Sequence, residues 1–131
     1  MKSRWKTVVP LEPTAEYLVL ASAIPPKSIR STRELFNGSR AVRSQLLGTD
    51  GVMGFSMLAE PLRRKYATLS VWRDAESLDA FGRSRPHDEL MAALAGSMAP
   101  TTFVRWTIAG TEPLPTWDET LERLRNATRS I

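Results

Sequence analysis

Lys65–Trp72 alternates without a break: Tyr66, Thr68, Ser70 and Trp72 are interleaved with Ala67, Leu69 and Val71. A period of two is the mark of a β-strand, whose successive side chains point to opposite faces. One face of this strand is wholly apolar, so the fold must contain a sheet with that face covered. The other face carries two hydroxyls between two aromatics. Two surroundings explain it equally well, the lining of a cavity or a partly solvated sheet face.

The flanking segments supply partners for the strand. Tyr17–Ile24 is an apolar run of strand length, read as buried on both faces and ended by Pro25 and Pro26. Ser28–Leu47 has helical periodicity. Leu35, Val42 and Leu46 form its main stripe, with Ile29, Phe36 and Leu47 as a second row and Gly48 as the stop. Thr32, Ser39 and Arg43 fall between or beside these rows. Either they bond the preceding turn and snorkel outward, or they line a cavity. After the turn Asp50-Gly51, Val52–Ala59 reads as a strand with Met53, Phe55 and Met57 on one face. Glu60 to Arg64 connects it to Lys65–Trp72.

Asp74 is placed to cap a short helix with Leu78 and Phe81 inward, broken at Gly82. Ser84 and Pro86 open a second helix, with Leu90, Met91 and Leu94 as its apolar side and Gly96 as its end. Thr101–Ile108 is a fourth strand, with Phe103, Arg105 and Thr107 on one face and Val104, Trp106 and Ile108 on the other. Thr116 to Glu119 fits a capping box ahead of a terminal helix that docks through Trp117, Leu121 and Leu124.

The order β-α-β-β-α-β plus a C-terminal helix predicts an α+β, ferredoxin-like fold with a four-stranded antiparallel sheet and helices on one face. Residues 1–16, interrupted by Pro10 and Pro13, read as an N-terminal arm. Residues 17–131 read as a single domain, as a 131-residue length leads one to expect. Apolar character on both faces of the strands predicts a homodimer, two sheets packed face to face through Ala67, Leu69 and Val71.

Composition removes several classes of chemistry. The chain has no cysteine and one histidine, which excludes disulfide and thiolate chemistry and argues against a dedicated zinc site. Its 18 basic and 14 acidic residues are scattered, with a net charge of +4. That pattern suits anionic small molecules better than nucleic acid, which calls for a clustered basic face. No apolar run has the length of a signal peptide core or a membrane span, so the expected location is the cytoplasm. Phosphate loops, dinucleotide-binding glycine triplets and paired helical histidines are missing as well.

Three runs bear a resemblance: Thr68-Leu69-Ser70-Val71-Trp72-Arg73-Asp74, Leu78-Asp79-Ala80-Phe81 and Ser84-Arg85-Pro86-His87. Together they resemble the dimeric α/β-barrel superfamily, nearest to the antibiotic-biosynthesis-monooxygenase-like proteins and the domain-of-unknown-function group DUF3291. Phe103-Val104-Arg105-Trp106, Trp117-Asp118-Glu119 and Leu121-Glu122-Arg123-Leu124 are similar to the ending of the DUF3291 group. Spheroidene monooxygenase shows a comparable run of Trp, Phe, Ser and His. The resemblance spans roughly residues 17 to 125.

The resemblance implies a monooxygenase that oxidises an apolar, polycyclic or terpenoid molecule in a cavity between sheet and helices. His87 would be the base, and Trp72, Tyr66 and Phe81 would orient the substrate beside Ser70, Thr68 and Phe103. Arg43 or Arg105 would stabilise enolate charge. No cofactor is expected on this reading. Haem-degrading relatives carry their haem histidine where Phe81 stands here, which argues against that chemistry. Two alternatives remain: a non-catalytic dimer that binds an apolar ligand, and a haem b protein that uses His87. A histidine in a first helical turn can equally be a surface or capping residue.

Overall fold

A computed structural model describes residues 3–96, 98–99 and 101–129. The first two residues of the expected arm and the last two of the expected domain lie outside them. The elements run β1 (Lys6–Thr7), β2 (Glu16–Ala23), α1 (Ile29–Leu47), β3 (Val52–Glu60), a 3-10 turn (Pro61–Arg63), β4 (Lys65–Trp72), α2 (Ala75–Gly82), α3 (His87–Leu94), β5 (Thr102–Ala109) and α4 (Trp117–Arg129). The sheet is antiparallel with strand order β1-β3-β4-β2-β5.

The sheet therefore has five strands, not four. The fifth comes from the arm: Lys6 and Thr7 pair with Phe55 and Gly54 on β3. Periodicity could not reveal it, because a two-residue strand has no period to read. The Ser56 hydroxyl ties the arm down by donating to the Ser3 carbonyl at 2.8 Å. It also accepts from the Trp117 indole N–H at 3.0 Å, joining arm, sheet and α4. Gly54 is required where Trp5 crosses the sheet, because a Cβ there would lie 2.6 Å from the indole ring. At the Asp50-Gly51 turn, Gly51 takes a φ of +94°, a region that side chains with a Cβ rarely adopt.

β3 also departs from the simple alternation. Val52 pairs with Trp72 and Gly54 with Val71, so Met53 is the extra residue of a bulge. The bulge moves Met53 to the face opposite Phe55 and Met57, where it packs with Tyr17, Val19, Leu69 and Val71. Phe55 packs instead with Val42, Leu46, Val52, Trp72, Leu78 and Phe81 beneath the helices. The expectation that all three residues share a face fails for this reason.

Helix α1 starts at a capping box in which the hydroxyls of Ser28 and Ser31 each accept from the other residue's backbone N–H. Its stripe of Leu35, Val42 and Leu46 is buried as expected. The second row is not a buried row, since Ile29 is 73% exposed and Leu47 also faces solvent. Asp74 caps α2 through the Ser77 N–H at 2.8 Å. Ser84 does not cap α3. Its hydroxyl donates back to the Ala80 carbonyl, and Pro86 takes the cap position without a side-chain bond.

The cap at Asp74 makes a pH prediction. The Ser77 N–H, with Arg73 adding a smaller effect, holds this carboxyl below its ordinary pKa of 3.8. A depressed pKa contributes stability above the ordinary value, and that contribution is lost as pH falls through the folded value. Asp74→Ala should therefore lower the urea midpoint most at neutral pH, and the gap to wild type should narrow below about pH 3.8. A gap that is constant with pH would show that the cap is not acting through its charge.

The expected dimer face is already covered. Ala67, Leu69 and Val71 are 1%, 1% and 0% exposed in the single chain. Trp5, Leu11 and Trp117 pack over this side, and α4 lies against β5 and β2. A face-to-face dimer through these three residues would first have to strip away the chain's own arm and terminal helix. The apolar pattern is satisfied within one chain instead. On α4 the fully buried position is Thr120, whose hydroxyl returns to the Thr116 carbonyl at 2.7 Å, with Leu124 buried one turn later.

Candidate functional site

The other face of β4 looks into a cavity of about 610 Å³ roofed by α1, α2 and α3. That volume is within the ordinary range of small-molecule sites. Tyr66, Thr68, Ser70 and Trp72 all line it, so the mixed face of the strand is a cavity wall. Leu20 and Ser22 continue the floor on β2, while Leu35, Ser39, Val42 and Leu46 form the α1 wall.

The hydroxyls on the floor are already engaged. Ser22 and Thr68 are cross-strand partners whose hydroxyls bond each other. Ser70 accepts from the Trp72 indole N–H at 2.8 Å. Ser39 donates to the Phe36 carbonyl at 2.8 Å. Among the described residues, no buried side-chain nitrogen or oxygen lacks a partner. A floor whose polar atoms are satisfied internally demands little hydrogen bonding from a ligand, so it favours an apolar one.

Trp72, Phe81 and His87 form a stack along one wall. The first two ring centroids are 5.3 Å apart, and the second and third 5.0 Å. His87 is half-buried and lines the cavity. Its Nδ1 lies 3.3 Å from the Gly82 carbonyl, a group that can only accept, so in the neutral ring this contact puts the proton on Nδ1 and leaves Nε2 its lone pair.

The residue that places this imidazole is Gln45. Its Oε1 accepts from the His87 backbone N–H at 2.9 Å, and its Nε2 donates to the Phe81 carbonyl at 3.3 Å. It therefore clamps the end of α2 to the start of α3. Sequence reading passed over Gln45, although it lies three residues beyond Val42 on the inward edge of the α1 stripe. Ser22 was also missed, because a strand read as buried on both faces gave no reason to single out a serine hydroxyl.

The remaining candidates lie outside this group. Arg105 and Phe103 stand at the cavity mouth on β5, the outermost strand, with Phe103 63% exposed. Arg105 pairs with Asp79 at 3.6 Å, with both side chains about half exposed. Arg43 is exposed and does not line the cavity; its guanidinium lies 5.3 Å from the ring centre of Phe55, on the outside of that wall. Burial raises the pKa of the Tyr66 phenol above 10.0, with a hydrogen bond to Ser39 acting in the opposite direction. The phenol remains a donor at neutral pH, and its hydroxyl rests on the Met57 sulfur at 3.2 Å.

Several solved structures superpose on this fold. A conserved protein from Methanosarcina mazei Go1 superposes with a TM-score of 0.62 at 17% identity, covering 72% of this chain and 94% of that one. An antibiotic biosynthesis monooxygenase gives a TM-score of 0.61 at 11% identity, covering 75% and 99%. SnoaB, a cofactor-independent oxygenase from Streptomyces nogalater, gives 0.57 at 13% identity, covering 78% and 100%.

The chain has the fold of the antibiotic biosynthesis monooxygenases.

No family model matches the chain, and no curated protein matches it in sequence. The likeness to the monooxygenases is one of fold. Among the described residues, no helix is long and apolar enough to cross a membrane, and no cluster of three His, Cys, Asp or Glu side chains is placed to hold a metal ion.

Proposed function

We propose that this protein is a cofactor-independent oxygenase of an apolar, polycyclic or terpenoid small molecule that ionises at carbon. The observation that carries the proposal is the single imidazole, with its Nε2 lone pair, held against the Trp72–Phe81 wall of an apolar cavity. The name of SnoaB, a cofactor-independent oxygenase of the same fold, supports it.

The chemistry balances without an added reductant. A methylene conjugated through aromatic rings with a ketone, together with one O2, becomes a second ketone and one water. His87 Nε2 takes a proton from the methylene, leaving a carbanion delocalised as an enolate. One electron passes to O2, and the resulting radical pair combines to form a C–O bond. The hydroperoxide then loses water across its O–O bond as the second C–H proton leaves. The substrate supplies all four electrons. Phe81 and Trp72 orient the rings, and the apolar walls exclude water from the carbanion. Tyr66 is the buried donor nearest in chemistry to what an enolate oxygen needs. Arg105 acts at the mouth, and Arg43 has no place in this step.

Anthrone, a tricyclic ketone with an acidic methylene, is a suitable probe. Incubation with ¹⁸O2 should place one labelled oxygen in the quinone and one in water, with no reductant or metal added. Binding of anthrone without oxygen consumption above the uncatalysed rate would replace this reading with the non-catalytic, ligand-binding one.

Haem b is the second reading, and one observation favours it. Ligating histidines are commonly held by a bond from the other ring nitrogen to a backbone carbonyl, as His87 is held by Gly82. His87 would hold the iron and the apolar walls would surround the macrocycle. Haem would supply oxygen-activating redox chemistry when bound. Titration with haemin should then give a Soret band that is lost in His87→Ala, and a titration without one would dispose of this reading.

A further inference from the structure

A second cavity, of about 620 Å³, lies behind the first, under the lip formed by Glu60, Leu62 and Arg63. The two cavities share three lining residues, Ser39, Met57 and Tyr66. Leu62 at the rear lip is fully exposed. Of these three, Tyr66 is the largest side chain and is buried. Phe36, from the rear cavity, packs edge-on against it with centroids 6.1 Å apart.

The latch on this wall is weak. The Tyr66 hydroxyl donates to the Met57 thioether at 3.2 Å, and a thioether is a poor acceptor. Met57 is only half-buried, and methionine has three rotatable bonds, which makes it the most adaptable apolar side chain. The remaining contributor, Ser39, has its own hydroxyl donated to the Phe36 carbonyl.

We propose that the Tyr66–Met57 pair sets the ligand length that the site accepts. It ends the front cavity beyond His87, and taking it away joins the two spaces into one channel from β5 to the β3–β4 turn. The inference rests on the front cavity being the ligand site, as the functional reading holds. It adds that specificity is decided at the far wall and not at the mouth.

The test uses straight-chain 1-alkanols of increasing length, displacing the fluorescent dye 1-anilinonaphthalene-8-sulfonate from wild type, Met57→Ala and Tyr66→Phe. Each methylene buried contributes about 0.8 kcal/mol, or roughly fourfold in affinity. Wild-type affinity should rise by that step and then stop rising at one chain length. Met57→Ala should keep rising for several further carbons, so its longest binders gain more than about tenfold over wild type. Tyr66→Phe keeps the wall and should keep the wild-type cut-off. Near-ultraviolet circular dichroism identifies a variant that has lost its packing, and Met57→Val, which also shortens the side chain and suits a strand, serves in place of a Met57→Ala that has.

The same cut-off in Met57→Ala and wild type would overturn the inference, as would the absence of any cut-off or of any alkanol binding. Because no oxygen chemistry is read, an unchanged cut-off with normal anthrone oxidation removes the partition alone. A shifted cut-off without oxidation removes the oxygenase reading alone.

Discussion

His87→Gln should lower kcat for anthrone oxidation by about 10²- to 10⁴-fold, the range supplied by a positioned general base. KM should change little, because proton abstraction is felt in the transition state and not in substrate binding. Glutamine retains an amide N–H that can reach the Gly82 carbonyl, so the start of α3 keeps its anchor while the basic nitrogen is lost. The stack on Phe81 is lost with the imidazole. Aromatic contacts of that kind contribute about 0.5–1.5 kcal/mol, which sets the expected drop in folding stability. Steady-state kinetics beside urea unfolding separates the two effects. An unchanged kcat would leave His87 as a packing residue and remove acid–base catalysis from this site.

Trp72→Ala should cost about 3–5 kcal/mol of folding stability, the usual range for a large aromatic removed from a core. Trp72 is 1% exposed and belongs to the cluster of Val42, Leu46, Phe55, Leu78 and Phe81 that joins β4 to α1 and α2. Its loss also leaves the Ser70 hydroxyl without the indole donor. The midpoint of urea unfolding should fall with the m-value unchanged. Trp72→Phe keeps most of the volume and should cost far less, so it is the variant in which ligand binding can be measured. Trp72 was expected to serve ligand binding more than folding; in the structure it both lines the cavity and belongs to the buried core cluster, so the two roles meet in one side chain. A Trp72→Ala protein as stable as wild type would mean that the indole lies in a looser place than this structure gives it.

The parts of the fold that follow from local rules were legible in the sequence. Lys65–Trp72 is a strand over the residues its alternation marks, because a period of two leaves no other regular structure. Asp74 caps where a short side-chain oxygen ahead of a helix should. Leu35, Val42 and Leu46 are buried because the spacing of 3.6 puts them on one stripe. The antiparallel core of four strands follows from the order of these elements and their short connections.

What could not be read from the sequence depends on residues far apart in the chain. The bulge at Met53 reverses a face, and only pairing with β4 shows where the extra residue sits. The apolar face of Ala67, Leu69 and Val71 required a cover, but one chain or two satisfies that requirement equally. Only the path of the arm and of α4 showed that the chain covers itself. The site divides in the same way. The odd mixture of hydroxyls and aromatics on β4 left a cavity wall and a partly solvated face equally open, and the packing of the helices over it decided for the cavity. The positioning of His87 by Gln45, 42 residues away, was not visible in the sequence. A sequence specifies which side chains must find partners, because burial without one is costly. Which partners they find is decided by the packing of the whole chain, and here that packing put the imidazole in a cavity and closed the other face of the sheet.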